Sequence, residues 1–380
     1  MNRSVENDTR YLPFLDGLRA LSVILVVGVH GAGPWTGKLA VKLHGWMGVN
    51  IFFVLSGFLV TWLLASEAQV RGSVNLKLFF TRRVLRLCPA YYTYLAVVLV
   101  FFGQAALHNV AIAGAYLLNY GVIFGWCDTG PAPLGHMWSL AVEEQFYIVW
   151  AIAFACIDRR KLPIFVGGTI LVAQGWKALL WSYAENTWMR ADLPKGALPN
   201  AHLEFGIDTR IDCLLIGCLL GLLWSDEQFR KRAESILANT WSPFVCASAL
   251  TVALAAQSWH HLRQPLYYWT IQSPVSDLVI AVFILSLLAN PRSFLARLLS
   301  TSLLTWIGRL SYSIYLWHVL GIEIVSSLYR KAQDQAAPLK VGILGEGVTL
   351  LVILALASLS YYVVERPFLI LKRRFAMVRS

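Results

Sequence analysis

The sequence predicts an all-α, polytopic membrane protein: a helix bundle of about ten transmembrane helices with both termini cytoplasmic. Of its 380 residues, 57% are hydrophobic and only 14% are charged, which is far from the balance of a water-soluble domain. The mean hydropathy is +0.59, and apolar stretches long enough to cross a bilayer recur along the chain. We therefore predict one transmembrane domain over residues 1–380, placed as a multi-pass protein in the plasma (inner) membrane of the cell.

The net charge of +11 comes from basic residues that fall in short clusters between the apolar stretches. This pattern follows the positive-inside rule and marks cytoplasmic loops, so a nucleic-acid partner is not expected. The six cysteines lie mostly in or beside apolar stretches without a CxxC pattern, which favours neither disulfides nor a metal site. The first apolar stretch lacks a small-residue cleavage site, so we expect it to remain as a span.

The basic clusters also set the order of the spans. The first stretch covers residues 11–33 and the second covers residues 45–66, which returns to a basic cytoplasmic segment that contains Arg86. Three candidates lie between Arg86 and Arg159, near residues 90–103, 110–126 and 138–157, yet both ends are cytoplasmic and only an even number can cross. We predict that residues 110–126, which are interrupted by glycines and Asn119, do not span. The later spans fall near residues 163–182, 208–225, 242–258, 274–290, 303–327 and 341–363.

The first stretch carries three ionisable residues, Asp16, Arg19 and His30, which are costly in hydrocarbon and are rarely kept without a partner or a role. Arg19 and His30 lie on one helix face, about 16 Å apart along its axis. Asp16 can pair with Arg19 at the helix entrance. We predict a buried His30 that acts as a general base; the alternative is a structural histidine bonded to another helix.

Residues 76–92 form a predicted amphipathic segment that ends at Pro89 and carries Arg82, Arg83 and Arg86. Arg83 and Arg86 stand three positions apart, so their guanidinium groups can grip a phosphate or diphosphate together. A helix that rests on anionic lipid would carry basic residues as well, and this alternative stays open.

Polar residues recur in two other apolar stretches. Asn50 and the pair Ser56-Gly57 lie in the second span, where small residues permit close helix contact or leave room for an extended ligand. We expect Asn50 at the depth of His30. The adjacent carboxylates Glu143 and Glu144 point about 100° apart on a helix, so only one faces His30, and we favour Glu144.

The stretch 306–318, WIGRLSYSIYLWH, places Tyr312, Tyr315 and His318 at spacings of three and six residues. These side chains can line a polar path across the bundle. Aromatic packing with an interfacial histidine is the alternative.

Five blocks, in this order along the chain, resemble the acyltransferase family 3 membrane proteins, which O-acylate surface polysaccharides, peptidoglycan and some macrolide antibiotics. The blocks are LDGLRALSVILVVGVH, FFVLSGFL, RRVLR followed by LCPAYY, MWSLAVEEQFYIVW and GRLSYSIYLWH. The resemblance covers essentially the whole chain. It implies an acyl-coenzyme A donor, usually acetyl-CoA, that approaches from the cytoplasm, an essential His30, a supporting Arg19, and contact of Arg83 and Arg86 with coenzyme A. The hydrolase-like extracellular domain of some members is not expected here.

We therefore predict an acyl-CoA-dependent O-acyltransferase, most simply an O-acetyltransferase, that uses no metal and acts on a hydroxyl of a cell-surface or exported glycan. His30 would deprotonate the hydroxyl, Glu144 or Asp16 would orient the imidazole, and Arg19 or Asn50 would stabilise the oxyanion. The predicted site residues are His30, Glu144, Asp16 and Arg19 for catalysis, Arg82, Arg83, Arg86, Ser56 and Tyr312 for the donor, and Asn50, Glu143 and His318 for the acceptor.

Two other functions remain open. A small-molecule O-acyltransferase, for example one acting on a macrolide, would have the same donor site. A proton-coupled transporter would also keep histidine, glutamate and arginine inside a bundle, but it would usually show internal repeats, and we find no convincing repeat.

Overall fold

The computed structural model describes residues 11–31, 45–127, 133–188, 198–260, 265–333 and 343–375. Every regular element in these ranges is a helix, which confirms the predicted all-α fold class. The α-helices longer than three residues are α1 (Pro13–Val29), α2 (Met47–Arg71), α3 (Leu76–Phe102), α4 (Gln104–Gly114), α5 (Leu118–Ile123), α6 (Trp138–Cys156), α7 (Leu162–Trp188), α8 (Leu198–Phe205), α9 (Ile207–Ser225), α10 (Glu227–Ile236), α11 (Ser242–His260), α12 (Ser273–Ala289), α13 (Phe294–Leu299), α14 (Ser302–Gln333), α15 (Ile343–Leu359) and α16 (Arg366–Lys372).

Within the described ranges, six helical segments are long and apolar enough to cross a membrane, judged by length and composition. Several of them expose much of their apolar surface on the outside of the bundle, as lipid-facing helices do. The protein is therefore a polytopic helical membrane protein. The number of about ten spans and the cytoplasmic termini stay predictions. The six segments are Met47–Arg71, Leu76–Phe102, Gly135–Cys156, Leu162–Tyr183, Tyr268–Ala289 and Gly345–Phe375.

Residues 110–126, predicted not to span, form the end of α4 and the whole of α5. α4 has 11 residues, a length of about 16 Å, whereas a bilayer core is about 30 Å thick. Tyr116 lies between the two helices with a φ of 54°, a left-handed conformation that interrupts the helical path. The local structure agrees with the prediction that this stretch does not cross.

The predicted helix end at Pro89 is wrong, because α3 continues through this proline to Phe102. A proline inside a helix removes one backbone donor, but neighbouring groups can satisfy the freed carbonyls inside a membrane bundle. The carbonyl that Pro89 leaves without its helical donor is that of Leu85. Close to it, the Tyr312 hydroxyl of α14 donates to the carbonyl of Leu87 at 3.0 Å and ties α3 to α14. The arginines of α3 are therefore part of the same rigid helix as its apolar second half.

Glycines bring the central helices into backbone contact. A Cβ at Gly308 of α14 would overlap the carbonyl of Asp16 in α1, and a Cβ at Gly57 of α2 would overlap the carbonyl of Leu214 in α9. Gly217 of α9 approaches α2 in the same way. Small residues permit such close packing where no hydrophobic effect drives helices together. For Gly57 the structure therefore favours the packing role.

Candidate active site

A cavity of about 330 Å³ lies between α1, α2, α3, α6 and α14. Apolar side chains form most of its wall, and convergent polar groups are placed among them, as in many ligand sites. Along α6, Tyr147 and Ser139 both line it, and their separation of eight residues corresponds to about 12 Å. The polar lining includes Asp16, Arg19, Ser56, Arg83, Arg86, Ser139, Glu143, Tyr147, Tyr312 and Tyr315.

Three arginines from two helices reach this cavity. Arg83 and Arg86 come from α3 and Arg19 comes from α1. The guanidinium carbon of Arg83 stands 3.9 Å from the centre of the Tyr147 ring, a cation–π contact that holds the side chain in place. Arg19 interacts electrostatically with Arg86, a like charge. Cations placed together in this way favour an anionic ligand.

Arg82 does not belong to this group, although the sequence places it beside Arg83. Its Nη2 atom donates to the carboxylate of Glu67 in α2 at 2.9 Å, and the Glu67 side chain is completely buried. Adjacent positions on a helix point about 100° apart, so the helix that aims Arg83 into the cavity turns Arg82 toward α2. The predicted donor contact of Arg82 is therefore not supported by its position.

Glu143, rather than Glu144, faces the cavity. Its Oε1 atom accepts hydrogen bonds from the Ser56 and Tyr147 hydroxyls. Glu144 is absent from the cavity lining and interacts electrostatically with Arg83 and Arg86. The predicted contact of Glu144 with His30 is therefore wrong; the carboxylate pair lies at the level of the arginines.

Asp16 and Arg19 form the predicted pair at the start of α1, with 3.5 Å between Asp16 Oδ1 and Arg19 Nη1. Asp16 also accepts a hydrogen bond of 2.7 Å from the Tyr11 hydroxyl. These partners account for both carboxylate oxygens of Asp16, so this residue does not orient His30.

His30 lies at the end of α1 rather than inside it, and its side chain is exposed. The prediction of a buried imidazole is wrong because the helix ends at Val29 and His30 is its C-cap. The Nδ1 atom lies 2.9 Å from the carbonyl of Val26. A carbonyl only accepts, so Nδ1 carries the proton and the lone pair of the neutral ring is on Nε2. A backbone carbonyl, instead of Glu144 or Asp16, sets the tautomer.

Two further histidines continue inward from His30. The ring centres of His30 and His318 are 4.8 Å apart, and those of His318 and His136 are also 4.8 Å apart. His318 is completely buried and His136 is 4% exposed. Tyr315 contacts both inner rings, and its hydroxyl lies 2.5 Å from that of Ser139.

His30 is not among the residues that line the cavity. The cavity ends at Ser139 and Tyr315, and the three imidazoles begin directly beyond them. The cavity therefore does not reach His30 itself and is followed by a row of histidines.

Asn50 belongs to a different buried cluster. Its amide oxygen accepts a 2.6 Å hydrogen bond from Arg210, and its amide nitrogen donates to Asp277 at 2.7 Å. Lys177 and Asp212 form an ion pair of 2.6 Å nearby in α7 and α9. These contacts turn the amide of Asn50 away from His30, so the predicted roles in orienting His30 or stabilising an oxyanion are not supported.

The Lys177–Asp212 pair gives a stability prediction. Both side chains are only 2% exposed, and removing one partner of a buried pair costs about 3–5 kcal/mol because the other charge remains buried. We expect Lys177→Met to lower the thermal unfolding midpoint in detergent markedly, and Lys177→Met with Asp212→Asn to recover part of it. Lys231→Met, which breaks an exposed pair with Glu227, is the matched control and should leave the midpoint unchanged. An equal effect of both single variants would contradict the prediction.

Sequence reasoning missed His136 and the cluster around Arg210. Ionisable residues in apolar stretches usually have a partner or a role. The same rule applies to Lys177, Asp212 and Asp277, and it would have identified them as candidates. His136 stands in the short 3-10 turn before α6, where only the tertiary structure brings it beside His318.

Among the residues that the structure describes, no group of histidine, cysteine or carboxylate side chains is arranged to hold a metal ion. The fold and the site therefore define a polytopic helical membrane protein with an arginine-lined internal cavity that leads to a row of imidazoles. The family model described as an acyltransferase domain matches residues 12–362, and the chain belongs to this family, acyltransferase family 3.

Several bacterial proteins are similar to this chain. A peptidoglycan O-acetyltransferase of Listeria monocytogenes is 32% identical over 356 residues, covering 88% of this chain and 53% of the relative. A putative O-acetyltransferase of Staphylococcus aureus is 29% identical, with coverage of 94% and 57%. A putative peptidoglycan O-acetyltransferase of Bacillus subtilis is 31% identical, with coverage of 94% and 55%. The chain thus spans about half the length of these curated relatives. No solved structure matches it significantly.

Proposed function

We propose that the protein is a membrane O-acetyltransferase that moves an acetyl group from cytoplasmic acetyl-CoA to a hydroxyl of a cell-surface or exported glycan. The observation that carries this proposal is the cavity that joins three arginines to Tyr315, directly beside the imidazole row. Membership of the acyltransferase family and the names of the relatives support the reaction class. The plasma membrane is the location that this donor and acceptor require.

The donor end of the cavity suits a phosphorylated carrier. Arg83 and Arg86 would bind the phosphates of coenzyme A, and Arg19 would add a third positive charge. The pantetheine arm would follow the apolar wall past Ser56 and Tyr312 and bring the thioester carbonyl toward Tyr315. Glu143, hydrogen-bonded to Ser56 and Tyr147, would keep these side chains in position.

The reaction would take place at the histidine end. His30 Nε2 accepts the proton of the acceptor hydroxyl, whose oxygen attacks the thioester carbonyl. The carbon–sulfur bond then breaks, and the thiolate leaves and takes up a proton to give free coenzyme A. Because His30 is exposed at the end of α1, a large glycan can reach it from the side opposite the donor cavity. His318 is completely buried beside His30, so its predicted contact with the acceptor is not part of this proposal.

Purified protein in lipid nanodiscs tests this proposal directly. Radiolabelled acetyl-CoA is supplied with soluble peptidoglycan glycan strands or, in a parallel reaction, with a macrolide. We expect base-labile label on the glycan strands and release of free thiol. Label on the macrolide alone would identify the small-molecule alternative, and an intact donor in both reactions would refute acyl-CoA dependence.

A further inference from the structure

Lys372 adds a further cation to the three arginines of the cavity. It stands at the end of α16, which packs against α3, and Arg82 of α3 donates to the carbonyl of Phe375 just beyond it at 3.4 Å. We propose that Lys372 binds the 3′-phosphate of coenzyme A, the phosphate on the ribose at the end far from the thioester. This inference rests on the proposed function, in which Arg83 and Arg86 bind the diphosphate of the same donor.

Electrostatic interactions place Lys372 at the arginine end of the cavity. It interacts most strongly with Arg86, then with Arg83 and Arg19. Lys372 is not among the residues that line the cavity. It therefore stands beside the arginines but outside the space that would hold the pantetheine arm. The adenosine end of a donor that is bound by its diphosphate would lie in this region.

Direct ion pairs neutralise some cations of this region but leave others without a counter-ion. Arg19 and Arg82 each have a carboxylate partner, at 3.5 Å and 2.9 Å. In the part of the chain that the structure describes, Arg83, Arg86 and Lys372 form no direct ion pair. Neighbouring cations repel one another, and a ligand with several negative charges would relieve this repulsion.

Glu365 is the carboxylate that could neutralise Lys372 instead. It interacts electrostatically with Arg86, Arg19 and Lys372. However, it is buried, and its Oε2 atom accepts a hydrogen bond of 2.9 Å from the Ser313 hydroxyl of α14. Among the described residues it forms a direct ion pair with none of these cations. The Lys372 ammonium group therefore stays available for an anionic ligand.

The chemistry of coenzyme A fits this arrangement of charges. The diphosphate would lie against the two cavity arginines of α3, whose planar guanidinium groups can each bind two phosphate oxygens. The 3′-phosphate is a monoester, a group that carries about −1.5 to −2 charges at neutral pH. A lysine ammonium on its flexible stem binds such a group as a point charge. The phosphates would thus contact both α3 and α16, which fixes the orientation of the donor.

Binding of coenzyme A and of 3′-dephospho-coenzyme A to the full-length protein in nanodiscs tests this inference without turnover. The two compounds differ only in the 3′-phosphate. We expect the wild type to bind coenzyme A about 10- to 100-fold more tightly, the effect of a hydrogen bond to a charged group. Lys372→Met should weaken binding of coenzyme A by this factor and leave that of dephospho-coenzyme A unchanged, which also shows that the variant is folded. Lys372→Arg keeps the charge and should retain most of the preference.

Arg366→Met is the matched control on the same helix. Arg366 is exposed at the start of α16, and its guanidinium carbon lies 5.9 Å from the centre of the Tyr362 ring. Its replacement should leave both affinities unchanged. An equal loss of preference in Arg366→Met would indicate a general effect of positive charge and would overturn the inference.

Two further results would also overturn the inference while leaving the proposed function intact. These are equal affinity of the wild type for the two compounds, and an unchanged preference in Lys372→Met. If neither compound binds, the coenzyme A donor is refuted together with the inference. If the wild type prefers coenzyme A but transfers no acetyl group to any acceptor, the proposed function fails and the role of Lys372 in phosphate binding stands.

Discussion

Replacing His30 by alanine should abolish acetyl transfer while the protein remains inserted and folded. Loss of a general base lowers rates by about 10²–10⁴-fold, and the neighbouring His318 is completely buried. His30 is the exposed C-cap of α1, and its Nδ1 bond to Val26 is a local contact. We therefore expect little loss of stability. Transfer is measured from radiolabelled acetyl-CoA to glycan strands, and folding by the thermal unfolding midpoint.

His108→Ala is the matched control for this variant. His108 is also an exposed histidine that contacts a backbone carbonyl, that of Trp126, but it lies on α4 outside the cavity lining. Its replacement should leave transfer unchanged. If His30→Ala keeps substantial transfer, His30 is not the base, and Tyr315 at the end of the cavity becomes the first residue to test.

Arg83→Ala and Arg86→Ala should each raise KM for acetyl-CoA by about 10- to 100-fold, with a much smaller effect on KM for the acceptor. This range corresponds to about 1.5–3 kcal/mol for a hydrogen bond to a charged group. Both side chains line the cavity, whereas the acceptor would meet His30 at the other end of the site. Initial rates over a matrix of donor and acceptor concentrations separate the two constants.

Two neighbouring basic residues of α3 serve as controls. Lys77 is exposed at the start of the helix, and Lys77→Ala should change neither constant. Arg82→Ala should instead lower the unfolding midpoint, since it leaves the buried Glu67 carboxylate without its 2.9 Å partner. Unchanged donor dependence in both cavity variants would support the lipid-contact interpretation of this arginine cluster.

Several features of the fold follow from local sequence patterns. Long apolar stretches predict membrane helices because backbone polar groups must be satisfied inside hydrocarbon. The short, glycine-interrupted stretch 110–126 was predicted not to span for the same reason, and it forms the end of α4 and the short helix α5. Pro89 misled the prediction, since a proline ends helices in water more reliably than in a bundle where other groups satisfy the freed carbonyls.

In the candidate site too, contacts between residues close in sequence were predictable, and contacts that depend on helix packing were not. The pairing of Asp16 with Arg19 is a contact between residues three positions apart, and it was predicted from spacing alone. The choice of Glu143 over Glu144 was not predictable. The spacing singled out Arg83 and Arg86, but it did not exclude Arg82 from the donor site. Which of two adjacent side chains enters the cavity depends on which helix packs against each face, because adjacent positions on a helix point about 100° apart.

The sequence by itself determined that this is a helical membrane protein, which family it resembles, and which ionisable residues lie in apolar surroundings, because these properties depend on composition and local order. Only the tertiary structure decided which of those residues meet. It brought His136 beside His318, tied Asn50 to Arg210 and Asp277, and ended the cavity at Tyr315. Such contacts join residues far apart in the chain, and they depend on how whole helices pack, which no local pattern encodes.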